Sequence, residues 1–272
     1  MKVTIIVPTY KDIIALKLIL EALETQTYKN FEVIVAEDDN TENTALFLKE
    51  LNTPLDIKHF TQEDDGNRKA IIINKSLLHV EGEYIIFIDG DVIPFSTFIE
   101  SHVALSRKKV VLCGRRVNLG DKVSEDLREA RITPLEIEKA YFRKYNYLNG
   151  DNIRHYEQGI YFNPNSFLYN SFINRSDKNV HILGSNFSCY RDDLFYINGF
   201  DEDIIGCSKD DVDLEWRFLQ SGCRLKSCKF SANLFHLNHS RNSREQEELR
   251  AKEQMKANQL QKKFICTNGL RK

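Results

Sequence analysis

Along the first third of the chain, short apolar runs take turns with amphipathic stretches. "VTIIVP", "FEVIVA", "LDIKHF" and "EYIIFIDGD" read as strands, and the spacing between them reads as helices from about Asp12 to Glu24, around 41 to 51, and from about Asn67 to His79. Strands separated by helices of this length predict parallel βαβ units. "YIIFI" is apolar at every position, as expected of a central strand covered on both faces.

From about 115 to 180 the pattern loosens into charged helices ("DLREARITPLEIEKAYFRKYNYL") and an Asn- and aromatic-rich stretch ("GIYFNPNSFLYNSFINRSD"), which reads as an insertion. Regularity returns at "VHILGSNFSCYRDDLFYINGFDED", a strand and a short helix capped by Asp192 or Asp193 and stopped at Gly199. A helix from near Lys209 to Gly222 and a strand through "KFSANLFHL" follow, and a charged helix from Ser243 to about Phe264 is expected to pack on the rest. The chain therefore reads as a single α/β domain over 1–272: a first half (1–114), a variable insertion (115–180), a second half (181–240) and a C-terminal helix (241–272).

Composition narrows the function. With 42% hydrophobic and 29% charged residues the 272-residue chain is globular, not disordered. A formal charge of −2 excludes a general nucleic-acid binder, which needs a basic excess. No apolar run approaches the roughly 18–20 residues of a spanning helix, and "VTIIV" is too short for a signal peptide. The expectation is a cytoplasmic protein, resting at most peripherally on the inner face of the cell membrane. Six scattered cysteines without a C-x-x-C pair read as reduced, buried thiols, not zinc ligands or disulfides.

Candidate chemistry gathers at strand ends, where open parallel sheets bind ligands. Pro8-Thr9-Tyr10 follows the first strand, Glu37-Asp38-Asp39 the second and Asp89-Gly90-Asp91 the fourth. On an extended strand Asp89 and Asp91 would share a side, with Gly90 allowing the turn beyond. Two such carboxylates suit Mg²⁺ or Mn²⁺ completed by substrate phosphates.

"VTIIVPTY", "EVIVAEDDNTENT", "QEDDGNRKAIIINKSL" and "YIIFIDGDVIP" resemble the nucleotide-binding half of a family 2 glycosyltransferase with a Rossmann-like GT-A fold. "LGSNFSCYRDDLFYINGFDEDIIG", "KDDVDLEWRF" and "FHLNH" are similar to the C-terminal half of galactosyltransferase-like enzymes of polysaccharide and lipopolysaccharide synthesis. The resemblance implies inverting transfer from a UDP-sugar, Gal or GalNAc favoured, to a saccharide or lipid-linked oligosaccharide acceptor. It implies that Pro8, Thr9 and Tyr10 line the uridine and that Asp38, with Glu37 beside it, partners uracil or ribose, although "EDDN" stands where the family has Asp-Asp-Gly-Ser. Arg68 and Asn74 match the family's Arg-x-x-x-x-N helix, Arg68 as a bridge to diphosphate; Lys69 reads equally well as a surface cation.

The same resemblance places Asp89 and Gly90 at the nucleotide sugar, Asp91 on the metal, and His236 or His239 as a further ligand, His239 preferred. Asp211 falls on the catalytic base that takes the acceptor proton, and Asp210 stands where the family has Glu, where helix capping is the other reading. Asn186 in "GSN" matches a loop bounding the donor sugar, while Asp201 is given a structural role. Mn²⁺ or Mg²⁺ is the expected cofactor. The rival readings are a nucleotidyltransferase, against which "PTYKD" lacks the glycine-rich basic loop, and a noncatalytic nucleotide-sugar-binding subunit of a synthase complex, against which Asp211 is intact.

Overall fold

The computed structural model describes residues 1–173, 180–204, 209–239 and 245–272. Cys207, Ser208 and the expected start of the tail helix at Ser243 lie outside them.

The four expected strands form as β1 (Val3–Thr9), β2 (Phe31–Glu37), β3 (Ile57–Thr61) and β4 (Tyr84–Ile88), joined by α1 (Ile13–Glu24), α2 (Glu42–Glu50) and α3 (Lys69–Leu77). They pair in parallel in the order β3-β2-β1-β4. The sheet continues with β8 (Asn186–Tyr190), antiparallel to β4 and to β6 (Val110–Cys113), and ends at β9 (Arg224–Ser227). This is the mostly parallel mixed sheet of a GT-A fold.

Alternation along each strand separates two cores. Val3, Ile5, Val7, Tyr84, Ile86 and Ile88 pack on the side of α1 and of α4 (Phe98–Leu105). Ile6, Ile85 and Phe87 face α3, α8 (Arg191–Tyr196) and α9 (Asp210–Gln220). A third core lies behind α1, where Ala15, Leu18 and Ala22 meet a small sheet of β5 (Val92–Pro94), β10 (Leu234–His236) and β7 (Val117–Asn118). The insertion closes this core with Val123 and Leu127 of α5 (Asp121–Arg128), Ile137 of α6 (Pro134–Lys139), Tyr141 in the turn after it, and Leu148 of α7 (Tyr145–Asn149). α1 is thus buried on two faces, which fixes the insertion to the first half of the chain.

Several expectations change. β4 ends at Ile88, so Asp89-Gly90-Asp91 forms the turn into β5 and strand alternation does not orient its acids. "KFSANLFHL" is a strand only at Leu234–His236, because the chain turns through Cys228–Ala232 after β9. Asp192 and Asp193 sit in the first turn of α8, with Tyr190 at the cap position. The tail helix α10 (Glu245–Leu260) does pack on the domain: Ala251 and Met255 are buried with Ile204, and Asn258 Nδ2 donates to Asp201 Oδ2 at 2.8 Å. Five cysteines (Cys113, Cys189, Cys223, Cys228, Cys266) are buried and unbridged. Among the described residues no helix is long and apolar enough to cross a membrane.

Candidate active site

The three strand-end clusters converge. The N–H of Asp38 donates to the Thr9 carbonyl at 3.0 Å, extending the β1–β2 ladder past its last acid. The turn after β4 lies so close to β1 that a Cβ on Gly90 would come within 2.3 Å of the Pro8 carbonyl oxygen, a contact only glycine permits.

Asp91 faces two histidines because β5 and β10 pair antiparallel. His236 is the register partner of Val92, and the Leu237 N–H donates to the Asp91 carbonyl at 2.9 Å. This pairing brings Nε2 of His236 to 3.4 Å and Nε2 of His239 to 3.0 Å from Asp91 Oδ2. The three ligand atoms lie within 4.8 Å of one another, and Asp91 Oδ1 is buried with no hydrogen-bond partner. A carboxylate and two imidazoles with one orphaned, inward-facing oxygen are a fitting donor set for Mn²⁺. Burial pushes the Asp91 carboxyl upward, but hydrogen bonds and charge from His236 and His239 outweigh it and hold it well below the usual carboxylate range.

Asp89 takes a different partner. Lys69 Nζ lies 2.6 Å from its Oδ1, and this half-buried ammonium also feels Asp210 and Asp211. Burial alone would lower the lysine; the three carboxylates reverse that and keep it protonated. Asp211, on the first turn of α9, accepts from the Gly184 N–H at 2.7 Å, so the "GSN" loop orients the acid expected to act as base. A Cβ on Gly184 would approach Asp211 Oδ1 to 2.7 Å, so this loop too must carry glycine to sit so near. Burial first, and then the charges of Asp210 and Asp89, raise the Asp211 carboxyl to about 7 against the pull of Lys69. A carboxylate poised there is matched to general-base work near neutral pH.

The remaining predicted residues divide between lining and support. Tyr10 is 51% exposed, and its hydroxyl donates to Asp64 Oδ2 at 3.2 Å. Lys11, in the left-handed region at φ 53°, reaches the same oxygen at 2.6 Å. Thr9 and Asp38 are buried at the floor of this bay; Asp38 accepts from the Arg68 N–H at 2.8 Å and from Gln62 Nε2 at 2.5 Å.

Glu37 turns away from the bay into a buried pair with Thr44 and His59, whose Nε2 lies 2.8 Å from Oε2. The Arg68 guanidinium is drawn outward to the Glu63 carbonyl and to Asp65, 3.3 Å away. Lys69, not Arg68, is therefore the cation among the acids. Asn74 is consumed in clamping the "GFDED" loop, donating to the Phe200 carbonyl at 2.8 Å and accepting from its N–H at 2.9 Å.

Asn186 lies fully buried beneath the site. Its Nδ2 donates to the carbonyls of Arg115 (2.8 Å) and Ala232 (2.9 Å), so its Oδ1 must accept from His102 Nε2 at 3.1 Å. His102 Nδ1 then accepts from Ser188 Oγ at 2.8 Å, and Ser188 from the Tyr84 hydroxyl at 2.7 Å. Burial drives His102 down to about 3, so the ring is neutral and the whole relay is satisfied. Sequence reasoning missed His102, whose place in "ESHVALS" carries no periodic or motif signal. It also missed the Asp213–Arg217 pair, spaced i, i+4 on α9 and fully buried at 2.5 Å, with Arg217 Nη1 donating to the carbonyls of Ile197 and Gly199. Spacing alone could have flagged that pair.

The pattern of glycosyl transferase family 2 matches residues 4–175. Chondroitin synthase of Escherichia coli is 31% identical over 103 residues, 38% of this chain and 15% of that protein. The putative glycosyltransferase EpsE of Bacillus subtilis is 32% identical over 108 residues, 39% of each chain. The matched stretch is thus well under half of either relative. In structure, TarS of S. aureus superposes with a TM-score of 0.62 at 17% identity, covering 96% of this chain and 40% of TarS. The mannosyltransferase PcManGT of Pyrobaculum calidifontis, solved with GDP-Man and Mn²⁺, gives 0.60 at 17% identity over 95% of this chain and 64% of its own. Both share the GT-A architecture described above. Since the family pattern runs through more than half of the sequence, from β1 into the insertion, the chain belongs to glycosyl transferase family 2.

Proposed function

We propose that the chain is an inverting glycosyltransferase that moves a hexose, Gal or GalNAc, from a UDP-sugar to a saccharide or lipid-linked oligosaccharide acceptor in cell-surface polysaccharide synthesis. Pro8, Thr9, Tyr10 and Asp38 line the nucleotide, and Asp89 with Lys69 meets the donor sugar side. Asp91, His236 and His239 would hold Mn²⁺ or Mg²⁺, whose charge offsets that gathering on the departing diphosphate. Asp211 accepts the acceptor hydroxyl proton as its oxygen attacks the anomeric carbon opposite the leaving group, with Asp210 sustaining the raised affinity of Asp211 for that proton. The work is done at the cytoplasmic face of the membrane, where such acceptors are built.

The observation that carries this reading is Asp211: a half-buried carboxylate raised to about 7 and fixed by the Gly184 N–H. A noncatalytic binding subunit has no use for a carboxylate so tuned. UDP receives support from TarS, which has been solved with UDP and with UDP-GlcNAc; the GDP-Man bound to PcManGT is the reason to test both bases. The experiment is a release assay over UDP- and GDP-sugars with Mn²⁺ and Mg²⁺, run on the parent and on Asp211→Asn. The parent should release UDP, and the variant should lose about 10²–10⁴-fold in transfer while still binding UDP by calorimetry. Retained turnover in Asp211→Asn would remove the assignment of the base.

A further inference from the structure

The insertion, Phe95 and Thr97 line an open cavity of about 400 Å³ to which none of the candidate active-site residues contributes. That volume lies in the usual range of ligand sites, about 300–1,000 Å³. Its nearest wall, Phe95, stands at the other end of β5 from Asp91. Gln26 Nε2 donates to the Phe95 carbonyl at 2.8 Å and the Thr27 N–H to the Ser96 carbonyl at 2.9 Å, which ties this wall to the C-terminal end of α1. The other end of α1 starts at Asp12, near Asp91, and the four residues of extended chain from Asp91 through β5 to Phe95 span at most about 14 Å.

The cavity's chemistry is specific. Its rigid side is Phe95 and Tyr141; Tyr141 is stacked on Tyr156 with centroids 4.5 Å apart, and its hydroxyl donates to the Tyr156 carbonyl at 2.6 Å. Facing solvent are two rings with no place in the core, Phe142 at 67% and Tyr161 at 38% exposure. Between them Glu138 is held by the Ser96 N–H at 2.9 Å and Ser96 Oγ at 2.5 Å, so its carboxylate cannot swing out to the mouth. Lys139, the last residue of α6, and Arg143, in the turn beyond it, are exposed at the rim. The mouth is therefore cationic and aromatic over a polar floor.

Sugar rings present flat C–H faces to aromatic side chains and hydroxyls to fixed polar groups, and a uronate adds a carboxylate that an arginine can grip in bidentate fashion. We propose that this cavity is a second saccharide site, which holds an acidic, uronate-bearing stretch of the acceptor chain away from the reacting end. The inference rests on the reading of the chain as a transferase to saccharide acceptors. A single sugar ring is too short to fill both sites, but a chain of them is not, and the tethered end then meets Asp211 at a raised effective concentration.

The test is a calorimetric titration of the whole protein with a hyaluronan oligosaccharide as the acidic probe and a chitin oligosaccharide as the neutral one, on the parent, Phe142→Ala and Arg143→Ala. Both side chains are exposed, so melting temperatures should stay at the parent value. The acidic probe should bind the parent, and each substitution should weaken it about tenfold, with donor hydrolysis unchanged. For transfer, KM should rise for long acceptors and stay constant for short ones. No binding of the acidic probe, equal or tighter binding of the neutral one, or undiminished affinity in both variants overturns the proposal. Oligosaccharide binding without donor hydrolysis would instead leave this site standing and count against the transferase reading.

Discussion

The two acids of the turn after β4 sit one residue apart, yet they belong to opposite electrostatic halves of the site. Asp91 is compensated: two imidazoles face it, its proton affinity is pushed far down, and one oxygen waits unpartnered. Asp89 joins a crowded half, where three carboxylates share one lysine and one of them, Asp211, is raised to about 7. The difference shows how one residue type is split into two tools. Facing imidazoles hold one carboxylate anionic; partial burial beside other anions makes the other a group that takes up a proton near neutrality.

If this division is right, Asp91→Asn should have the largest effect. A metal contributes several kcal/mol at the transition state, so turnover should fall on the order of 10³-fold or more, with Mn²⁺-dependent donor binding lost; unchanged Mn²⁺ titration by calorimetry would show that the triad is not the metal site. Next in size is a stability effect on the other half. Arg217→Leu strands the buried Asp213 carboxylate and should cost about 3–5 kcal/mol, read by urea denaturation, and loosen the start of α9 that carries Asp211.

The smallest and most diagnostic effect is on pH. A base must be deprotonated, so with Asp211 raised to about 7 transfer should climb as pH rises through that value. Lys69 lowers the Asp211 carboxyl, so Lys69→Met should move the ascending limb to higher pH. A limb that stays in place would uncouple Lys69 from the base.

The first four strands were legible because their signal is local: each is an unbroken apolar run, and the helices between them repeat every three or four residues. β5 and β7, with three and two residues, have no room for a period and form only because β10 lies between them. The same reason explains the histidines. "FHLNH" advertises two imidazoles, but only the β5–β10 register turns both toward Asp91. Sequence favoured Arg68 over Lys69 as the cation of the site; the start of α3 turns Arg68 to the loop and Lys69 to the acids.

What the sequence determined by itself was the order of elements, the family, and the residue types that arrive at the sheet's carboxyl edge. Those depend on periodicity and short motifs, which a linear chain carries in full. Tertiary structure alone decided which acid is anionic and which proton-hungry, that Glu37, Asn74 and Asn186 spend their polar atoms inside the fold, and that an aromatic cavity opens at the far end of α1. Proton affinity, satisfaction of hydrogen bonds and concavity are set by what stands within a few ångströms. For these residues nearly all such neighbours come from distant parts of the chain.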